Sequence, residues 1–229
     1  MNQNRIIVAI DGHSSSGKST MAKRLAADVD YVYVDTGAMY RALALHCIRL
    51  GIITKQTIDE SRLPEILSQI TIDFTIVDGR QHTLLNGEDV EKEIRTLLVG
   101  NGASRVSALP MVREAMVAAQ QKMGQTGGVI MDGRDIGSVV FPNAQMKVYV
   151  TASEQVRAER RFLELQAKGE NPTMESVLAD VRDRDYRDTH RPVGPLMKCA
   201  DAFVLDNTYL NTEEQYTLLR LYFKSITGR

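Results

Sequence analysis

Short apolar runs alternate with longer amphipathic stretches along most of this chain. Each run has four or five residues, is rich in Val, Ile or Tyr, and is followed by a turn and a helical stretch. Near-continuous apolar strands that alternate with helices are typical of an α/β fold, in which helices cover both faces of a parallel sheet. The five predicted strands are residues 6–10, 31–35, 129–132, 146–150 and 202–206. The predicted helices lie near residues 18–29, 38–51, 111–123, 153–168 and 211–226.

Residues 60–97 interrupt this alternation. Ile72, Phe74 and Ile76 alternate with polar residues, and the turn dipeptides Asp78-Gly79 and Asn86-Gly87 follow. Period-two alternation around Asp-Gly and Asn-Gly is a strong signal for antiparallel hairpins. The sequence therefore predicts a small antiparallel β insert at 60–97, which divides a core formed by residues 1–59 and 98–229.

Residues 169–198 are polar, charged and punctuated by prolines. This composition predicts a short helix that begins near Pro172, inside a mobile lid at about 169–192. On a helix, Arg184, Asp188 and Arg191 would share one face. Such arginines could neutralise charge in phosphoryl transfer while the lid excludes water. A solvated, salt-bridged surface is the alternative interpretation.

The stretch Gly12-His-Ser-Ser-Ser-Gly17-Lys18-Ser19 matches the P-loop pattern G-x-x-x-x-G-K-[ST] in full. It follows an apolar strand and opens a predicted helix, which is the context that the pattern requires. Its glycines let backbone N–H groups converge on phosphate oxygens, and the helix N-terminus adds a favourable partial charge. Lys18 is predicted to reach the β- and γ-phosphates, and Ser19 to ligate Mg²⁺. The alternative is a Ser/Gly-rich turn that fits the pattern by chance.

A P-loop alone does not distinguish a GTPase switch, a motor ATPase and a kinase. A GTPase would need D-x-x-G after a strand and N-K-x-D to read guanine, and neither pattern occurs in the sequence. A kinase of small molecules is therefore the favoured class.

Polar and charged residues follow two of the predicted strands. The second strand is followed by Thr36, Tyr40 and Arg41, and ligands of open α/β sheets bind at such strand ends. Arg41 suits an anionic phosphate, although an arginine on a helix surface is the alternative. The third strand ends in Asp132-Gly133-Arg134-Asp135.

The charged residues at the end of the third strand have different predicted roles. Asp132 is placed to hold Mg²⁺, as an acid at the end of an apolar strand commonly is in P-loop enzymes. Arg134 could clamp a phosphoryl group, and Asp135 could accept a hydrogen bond from a base. A β-turn with solvated charges is the alternative.

The charge balance and composition exclude several classes of protein. Lys and Arg number 28 against 29 Asp and Glu, which gives a net charge of −1 and no basic footprint for nucleic acid or an anionic membrane. Trp is absent, so a base-stacking platform is disfavoured. Two cysteines and four histidines form no metal-ligand pattern. No apolar run has the length of a signal sequence or a bilayer span. We therefore expect a cytoplasmic protein that binds small molecules and neither nucleic acid nor membrane. A monomer is expected as well, although the sequence does not determine the oligomeric state.

Several blocks, in order along the chain, resemble one family. Together with the P-loop, they are similar to the bacterial-type cytidylate kinases, which are P-loop kinases of nucleoside monophosphates. The blocks are residues 31–42, 86–95, 99–115, 131–142 and 184–196. The resemblance implies a P-loop kinase fold with an acceptor-binding insert and a lid. It also implies Mg²⁺-dependent transfer of the γ-phosphoryl group of ATP to CMP or dCMP. His13 departs from the family, in which Pro is common at this position.

The resemblance also implies roles for individual residues. Ser104, Arg113 and Asp135 would hold cytosine, and Arg41, Arg134 and Arg191 the acceptor phosphate. Asp188 would meet the ribose hydroxyls, and Arg184 the transferred phosphoryl group. The predicted CMP-binding residues are Thr36, Tyr40, Arg41, Ser104, Arg113, Arg134, Asp135, Asp188 and Arg191. The predicted ATP-binding residues are Gly12, His13, Ser14, Ser15, Ser16, Gly17, Lys18, Ser19, Thr20 and Arg160. The predicted catalytic residues are Lys18, Arg134, Arg184 and Arg191, and the predicted metal ligands are Ser19 and Asp132.

Hydrogen-bonding chemistry supports the choice of cytosine. A carboxylate accepts from its N4 amino group, and an arginine donates to N3 or O2. Uracil presents O4 and N3–H instead, which would leave the carboxylate unpaired. A kinase of UMP or of a metabolite hydroxyl, and a nucleotide sensor without catalytic activity, remain alternatives.

Overall fold

The computed structural model describes residues 5–228 of the chain. These residues form two compact units. The first consists of the described residues of Met1–Val34 and Met123–Arg229, and the second is Asp35–Lys122. The second unit contains the whole of the predicted insert, 60–97, and extends beyond it on both sides.

The strands follow the apolar runs of the sequence closely. In chain order they are β1 (Ile7–Gly12), β2 (Val32–Asp35), β3 (Ile72–Val77), β4 (Arg80–Leu85), β5 (Glu88–Asp89), β6 (Val129–Gly133), β7 (Met146–Thr151) and β8 (Phe203–Asp206). Five of them form one sheet in the order β2-β6-β1-β7-β8. The central strand β1 pairs in parallel with both β6 and β7. The predicted α/β class, with a five-stranded parallel sheet, helices and a small antiparallel sheet, is confirmed.

The helices include all five that the sequence predicts. In chain order they are α1 (Lys18–Val29), α2 (Thr36–Arg49), α3 (Leu63–Gln69), α4 (Leu97–Val106), α5 (Pro110–Met123), α6 (Glu154–Ala167), α7 (Met174–His190) and α8 (Thr212–Thr227). Within residues 5–228, no helix is both long and apolar enough to cross a bilayer.

The core of the first unit lies between the parallel sheet and helices α1 and α8. Val8 and Ile10 alternate with their neighbours along β1, so both side chains point to the same face. There they pack in one cluster with Leu25 of α1 and with Leu219 and Phe223 of α8. This packing fixes the end of β1, where the P-loop begins.

The antiparallel sheet of the second unit confirms the predicted hairpins. β3 pairs with β4 from Ile72 opposite Leu85 to Val77 opposite Arg80, and β4 pairs with β5. Asp78 and Asn86 both have φ of 50°, and each is followed by a glycine with positive φ. Two successive residues with positive φ are the requirement of a type I′ hairpin turn. The predicted apolar face is not buried over its full length, since Ile76 is 67% exposed.

The charged segment after Gly169 differs from the prediction of a short helix beginning near Pro172. α7 has 17 residues, and Thr173 caps it by accepting a hydrogen bond from the Ser176 N–H. The helix is long because Val177 and Val181 pack against Ala158 and Leu165 of α6. Arg191 lies outside the helix, in extended backbone just after its end, so it does not continue the helical face of Arg184 and Asp188.

Candidate active site

The P-loop connects β1 to α1 through backbone that only particular residues adopt readily. Gly17 has φ of 84° and Ser15 has φ of 56°. At Gly12, any side chain would collide with the carbonyl oxygen of Val150 on the neighbouring strand. The loop therefore requires its glycines for close approach and for left-handed backbone.

Lys18 is the first residue of α1, and its side chain is buried within the loop. Its Nζ donates to the carbonyl oxygen of His13 at 3.2 Å. Burial, together with the nearby charge of Arg134, lowers the pKa of Lys18 to about 7. A phosphate group bound at the loop would supply the negative charge that favours the protonated amine.

Ser19 and Asp132 meet where the P-loop approaches the end of β6. The Ser19 hydroxyl donates to Asp132 Oδ2 at 2.7 Å, and the Tyr33 hydroxyl donates to Asp132 Oδ1 at 2.6 Å. A hydroxyl and a carboxylate that are both close to a phosphate-binding loop are a donor set suited to Mg²⁺, which binds few protein oxygens and takes the rest from phosphate and water. The residues present therefore fit a magnesium ion.

Asp11 lies at the end of β1 and links it to the turn after β6. Its carboxylate accepts from the backbone N–H groups of Ile136 and Gly137, both at 2.7 Å. Burial raises the pKa of Asp11 to about 6, although both of these hydrogen bonds favour the ionised form. This carboxylate fixes the backbone that follows Arg134 and Asp135.

Arg134 pairs with Asp188 of α7. The Arg134 Nε donates to Asp188 Oδ2 at 2.6 Å, and both side chains are largely buried. Burial alone would raise the pKa of Asp188, but the charges of Arg134 and Arg184 and the hydrogen bond from Arg134 lower it to about 2. Arg184 therefore contributes to the same electrostatic cluster, from the turn of α7 that precedes Asp188.

Arg191 and Asp135 form a second buried pair. Their closest atoms, Arg191 Nη2 and Asp135 Oδ1, are 3.4 Å apart, and each side chain is 6% exposed. Arg191 Nε donates to the carbonyl oxygen of Gly194 at 2.6 Å, which orients the guanidinium. The two predicted CMP-binding residues are thus brought together in the first unit.

His13 connects the P-loop to β7 and α7. Its Nδ1 lies 3.1 Å from Asp185 Oδ1, and its Nε2 lies 3.3 Å from the Tyr149 hydroxyl. Asp185 also accepts two hydrogen bonds from Arg157, at 3.0 and 2.6 Å. His13, which stands where the resembled family commonly has Pro, therefore contributes its side chain to a half-buried network, and not only its backbone.

Arg160 reaches the P-loop through another side chain. It donates from Nη1 to Asn207 Oδ1 at 3.0 Å and from Nη2 to the Asn207 carbonyl at 3.1 Å. Asn207 in turn donates to the carbonyl oxygen of Ser16 at 2.7 Å. Arg160 is thus held beside the loop, whereas Thr20 is exposed on α1 and Ser14 is half-buried.

In the second unit, the predicted phosphate ligand Arg41 is held against α4. Its Nη1 donates to the carbonyl oxygen of Ile94 at 3.0 Å. A Cβ on Gly100 would lie 2.9 Å from that nitrogen, so the glycine makes room for the guanidinium. Thr36, the first residue of α2, is buried, and Asp35 caps the helix by accepting from the Ala38 N–H at 2.9 Å.

Arg113 is the largest fully buried side chain of the described residues, at 1% exposure. Its Nη1 donates to the Ser107 carbonyl at 3.4 Å, and its guanidinium carbon lies 5.9 Å from the centre of the Tyr40 ring. Ser104 is half-buried in α4, and its carbonyl accepts from the Ser107 hydroxyl at 3.0 Å. The structure therefore brings Arg113 and Tyr40 together, with Ser104 connected through Ser107.

Several residues of these networks were not predicted from the sequence. Tyr33 and Asp11 lie inside or at the end of apolar strands, where they resemble ordinary core or turn residues. Asn207 follows β8 directly, and a polar residue at the carboxyl end of the fifth strand is the one signal that could have identified it.

Comparison with known proteins agrees with this geometry. The sequence model described as Cytidylate kinase matches residues 8–222. The cytidylate kinase of Parabacteroides distasonis is 52% identical over 225 residues, which cover 97% of this chain and 98% of that protein. The cytidylate kinase of Bacteroides thetaiotaomicron is 50% identical over 224 residues, again 97% and 98% of the two chains. That of Flavobacterium johnsoniae is 50% identical over 214 residues, 93% of each. This chain belongs to the cytidylate kinase family.

Proposed function

We propose that the chain transfers the γ-phosphoryl group of ATP to CMP or dCMP, giving ADP and CDP or dCDP. The observation that carries the proposal is the Ser19–Asp132 pair beside the buried Lys18, in a chain that belongs to this family. A hydroxyl, a carboxylate and a lysine in this arrangement are the parts that P-loop enzymes use to hold a nucleoside triphosphate with its metal ion.

On the donor side, the P-loop residues Gly12 to Thr20, together with Arg160, bind ATP. Lys18 exchanges its contact with the His13 carbonyl for the β- and γ-phosphates. Ser19 and Asp132 hold Mg²⁺, with Tyr33 orienting the carboxylate. The ion, when bound, neutralises charge on the phosphate oxygens.

On the acceptor side, the residues divide by the part of CMP that they meet. Asp135 accepts from the cytosine amino group and Arg113 donates to the ring acceptors, with Ser104 as a further contact. These three residues are buried or half-buried, so a base that leaves them unpaired is rejected strongly.

The sugar and phosphate of CMP meet the remaining residues. Asp188 accepts from the ribose hydroxyls, and Arg134 and Arg191 hold the phosphate. Thr36, Tyr40 and Arg41 of α2 are the remaining proposed contacts to CMP, and residues 60–97 are the proposed acceptor-binding insert. No strong general base is needed, because the attacking atom is already an anionic phosphate oxygen. Catalysis is positioning and charge neutralisation, with Arg184 acting on the transferred group from the proposed lid at 169–192.

The experiment is a coupled measurement of ADP release with CMP, dCMP, UMP and AMP. The highest kcat/KM is expected for CMP or dCMP. The Lys18→Met variant, which is expected to lack turnover, gives the background rate of the assay. The highest value for UMP would reassign the substrate, and ATP binding without turnover would make the chain a sensor. Gel filtration tests the expected monomer. The salt dependence of any binding to nucleic acid tests the charge balance, which disfavours such a partner.

A further inference from the structure

We propose that Asn207 is a positioning residue for the donor nucleotide, because it sets the direction of a P-loop peptide from behind the loop. This inference rests on the proposed donor site. Asn207 is fully buried, at 0% exposure, and it directly follows β8. It is remote in sequence from the P-loop and outside the pattern that defines it.

The amide of Asn207 holds the carbonyl of Ser16. Asn207 Nδ2 donates to the Ser16 oxygen at 2.7 Å. In a trans peptide the C=O and the following N–H point in opposite directions. Fixing the Ser16 carbonyl towards Asn207 therefore directs the Gly17 N–H away from Asn207. Convergent N–H groups are what a P-loop offers to phosphate, so the side chain of Asn207 determines one of its donors.

Two further hydrogen bonds fix the orientation of the Asn207 amide. The second hydrogen on Nδ2 goes to Gln215 Oε1 on α8, at 2.6 Å, and Oδ1 accepts from Arg160 at 3.0 Å. A flipped amide would place its NH₂ against the Arg160 guanidinium and its oxygen against two other oxygens. Donors and acceptors therefore match only as observed.

The amide of Asn207 also lies in van der Waals reach of the loop backbone. A Cβ on Gly17 would lie 3.5 Å from Asn207 Nδ2 and 3.5 Å from Gln215 Oε1. The amide group thus packs directly behind the loop and also holds Arg160, the predicted ATP-binding residue outside it. One side chain positions both parts of the donor site.

The decisive variant is Asn207→Asp, which keeps the shape of the side chain and the acceptor for Arg160. It replaces the donor to Ser16 with an oxygen, which then faces two other oxygens, the Ser16 carbonyl and Gln215 Oε1. KM for ATP is expected to rise roughly five- to fiftyfold, with KM for CMP changed less than twofold. Calorimetric titration of ADP into the free enzyme should show the same loss, independently of turnover. Thr208→Ala is the matched control, since it changes the adjacent residue, whose hydroxyl contacts Ser153 and Asp206.

A folding defect and a positioning defect give different results. Loss of folded protein lowers kcat and leaves both KM values unchanged, whereas mispositioning raises KM for ATP selectively. Gln215→Leu, which removes only the second partner of the amide, should raise KM for ATP by a smaller factor. If Asn207→Asp yields no folded protein, Gln215→Leu alone decides. An unchanged KM for ATP and an unchanged ADP affinity in the folded variant would overturn the inference. Wild-type enzyme that fails to use ATP would instead overturn the proposed function.

Discussion

The buried ion pair between Asp188 and Arg134 gives a prediction for stability that depends on pH. The pKa of Asp188 is about 2 against an ordinary value of 3.8. An acid whose pKa is depressed by folding stabilises the folded state at pH values above its unfolded pKa. This stabilisation is lost as the pH falls towards the folded value. The difference amounts to roughly 2 kcal/mol at pH 7, and about half of it remains at pH 3. Asp188→Asn should therefore lower the free energy of unfolding by about 2 kcal/mol at pH 7, and by about half as much at pH 3.

The measurement is urea unfolding from pH 7 to pH 3, followed by far-UV circular dichroism because the chain has no Trp. Asp183→Asn is the matched control, since Asp183 forms an ion pair on the exposed side of the same helix. An exposed pair contributes roughly 0–1 kcal/mol, so the control should differ little from wild type at any pH. A loss in Asp188→Asn that is the same at pH 7 and pH 3, or no larger than that of the control, would refute the electrostatic reasoning.

Three further predictions concern catalysis. Lys18→Met should abolish turnover, while calorimetry should show that CMP binding to the free enzyme is retained. Arg184→Ala should lower kcat more than it raises either KM, whereas Arg191→Ala should mainly raise KM for CMP. Steady-state kinetics with both substrates would distinguish these patterns. If Arg184→Ala instead mainly raised KM for CMP and Arg191→Ala mainly lowered kcat, the two proposed roles would have to be exchanged. Asp135→Asn should lower kcat/KM for CMP roughly ten- to a hundredfold and improve relative use of UMP, since its NH₂ can donate to uracil O4. An unchanged CMP-to-UMP ratio would show that Asp135 does not read the base.

The sequence allowed prediction of those parts of the fold whose signal is local. Each parallel strand is an apolar run, and the hairpins have Asp-Gly and Asn-Gly at their turns. α4 was not predicted because Gly100 and Gly102 lie inside it and glycine disfavours helices. Both glycines are used for close packing: a Cβ on Gly102 would lie 3.4 Å from the Cβ of Ala44 on α2. This reason depends on tertiary structure and leaves no local pattern.

In the candidate site, too, residues within a local motif were predictable from the sequence, whereas residues joined by long-range contacts were not. The P-loop has a fixed spacing, so its residues are identified from sequence alone. Tyr33 is separated from its partner Asp132 by 99 positions, and Asn207 from Ser16 by 191. No periodicity connects residues so far apart, and their roles depend on how the strands are ordered in the sheet. The supporting side chains therefore had to come from the structure.

Three largely buried arginines of the first unit, Arg134, Arg157 and Arg191, each pair with a carboxylate. A buried guanidinium without a partner charge is destabilising, so Asp188 stabilises Arg134 before any nucleotide is present. A phosphate group carries more negative charge than a carboxylate and can take over the same arginine. Asp188 would then be released towards the ribose hydroxyls, the role that the family resemblance assigns to it. On this reasoning, the Arg134–Asp188 pair stabilises the fold before substrate binds, and the proposed exchange for phosphate would provide both groups to the acceptor at once.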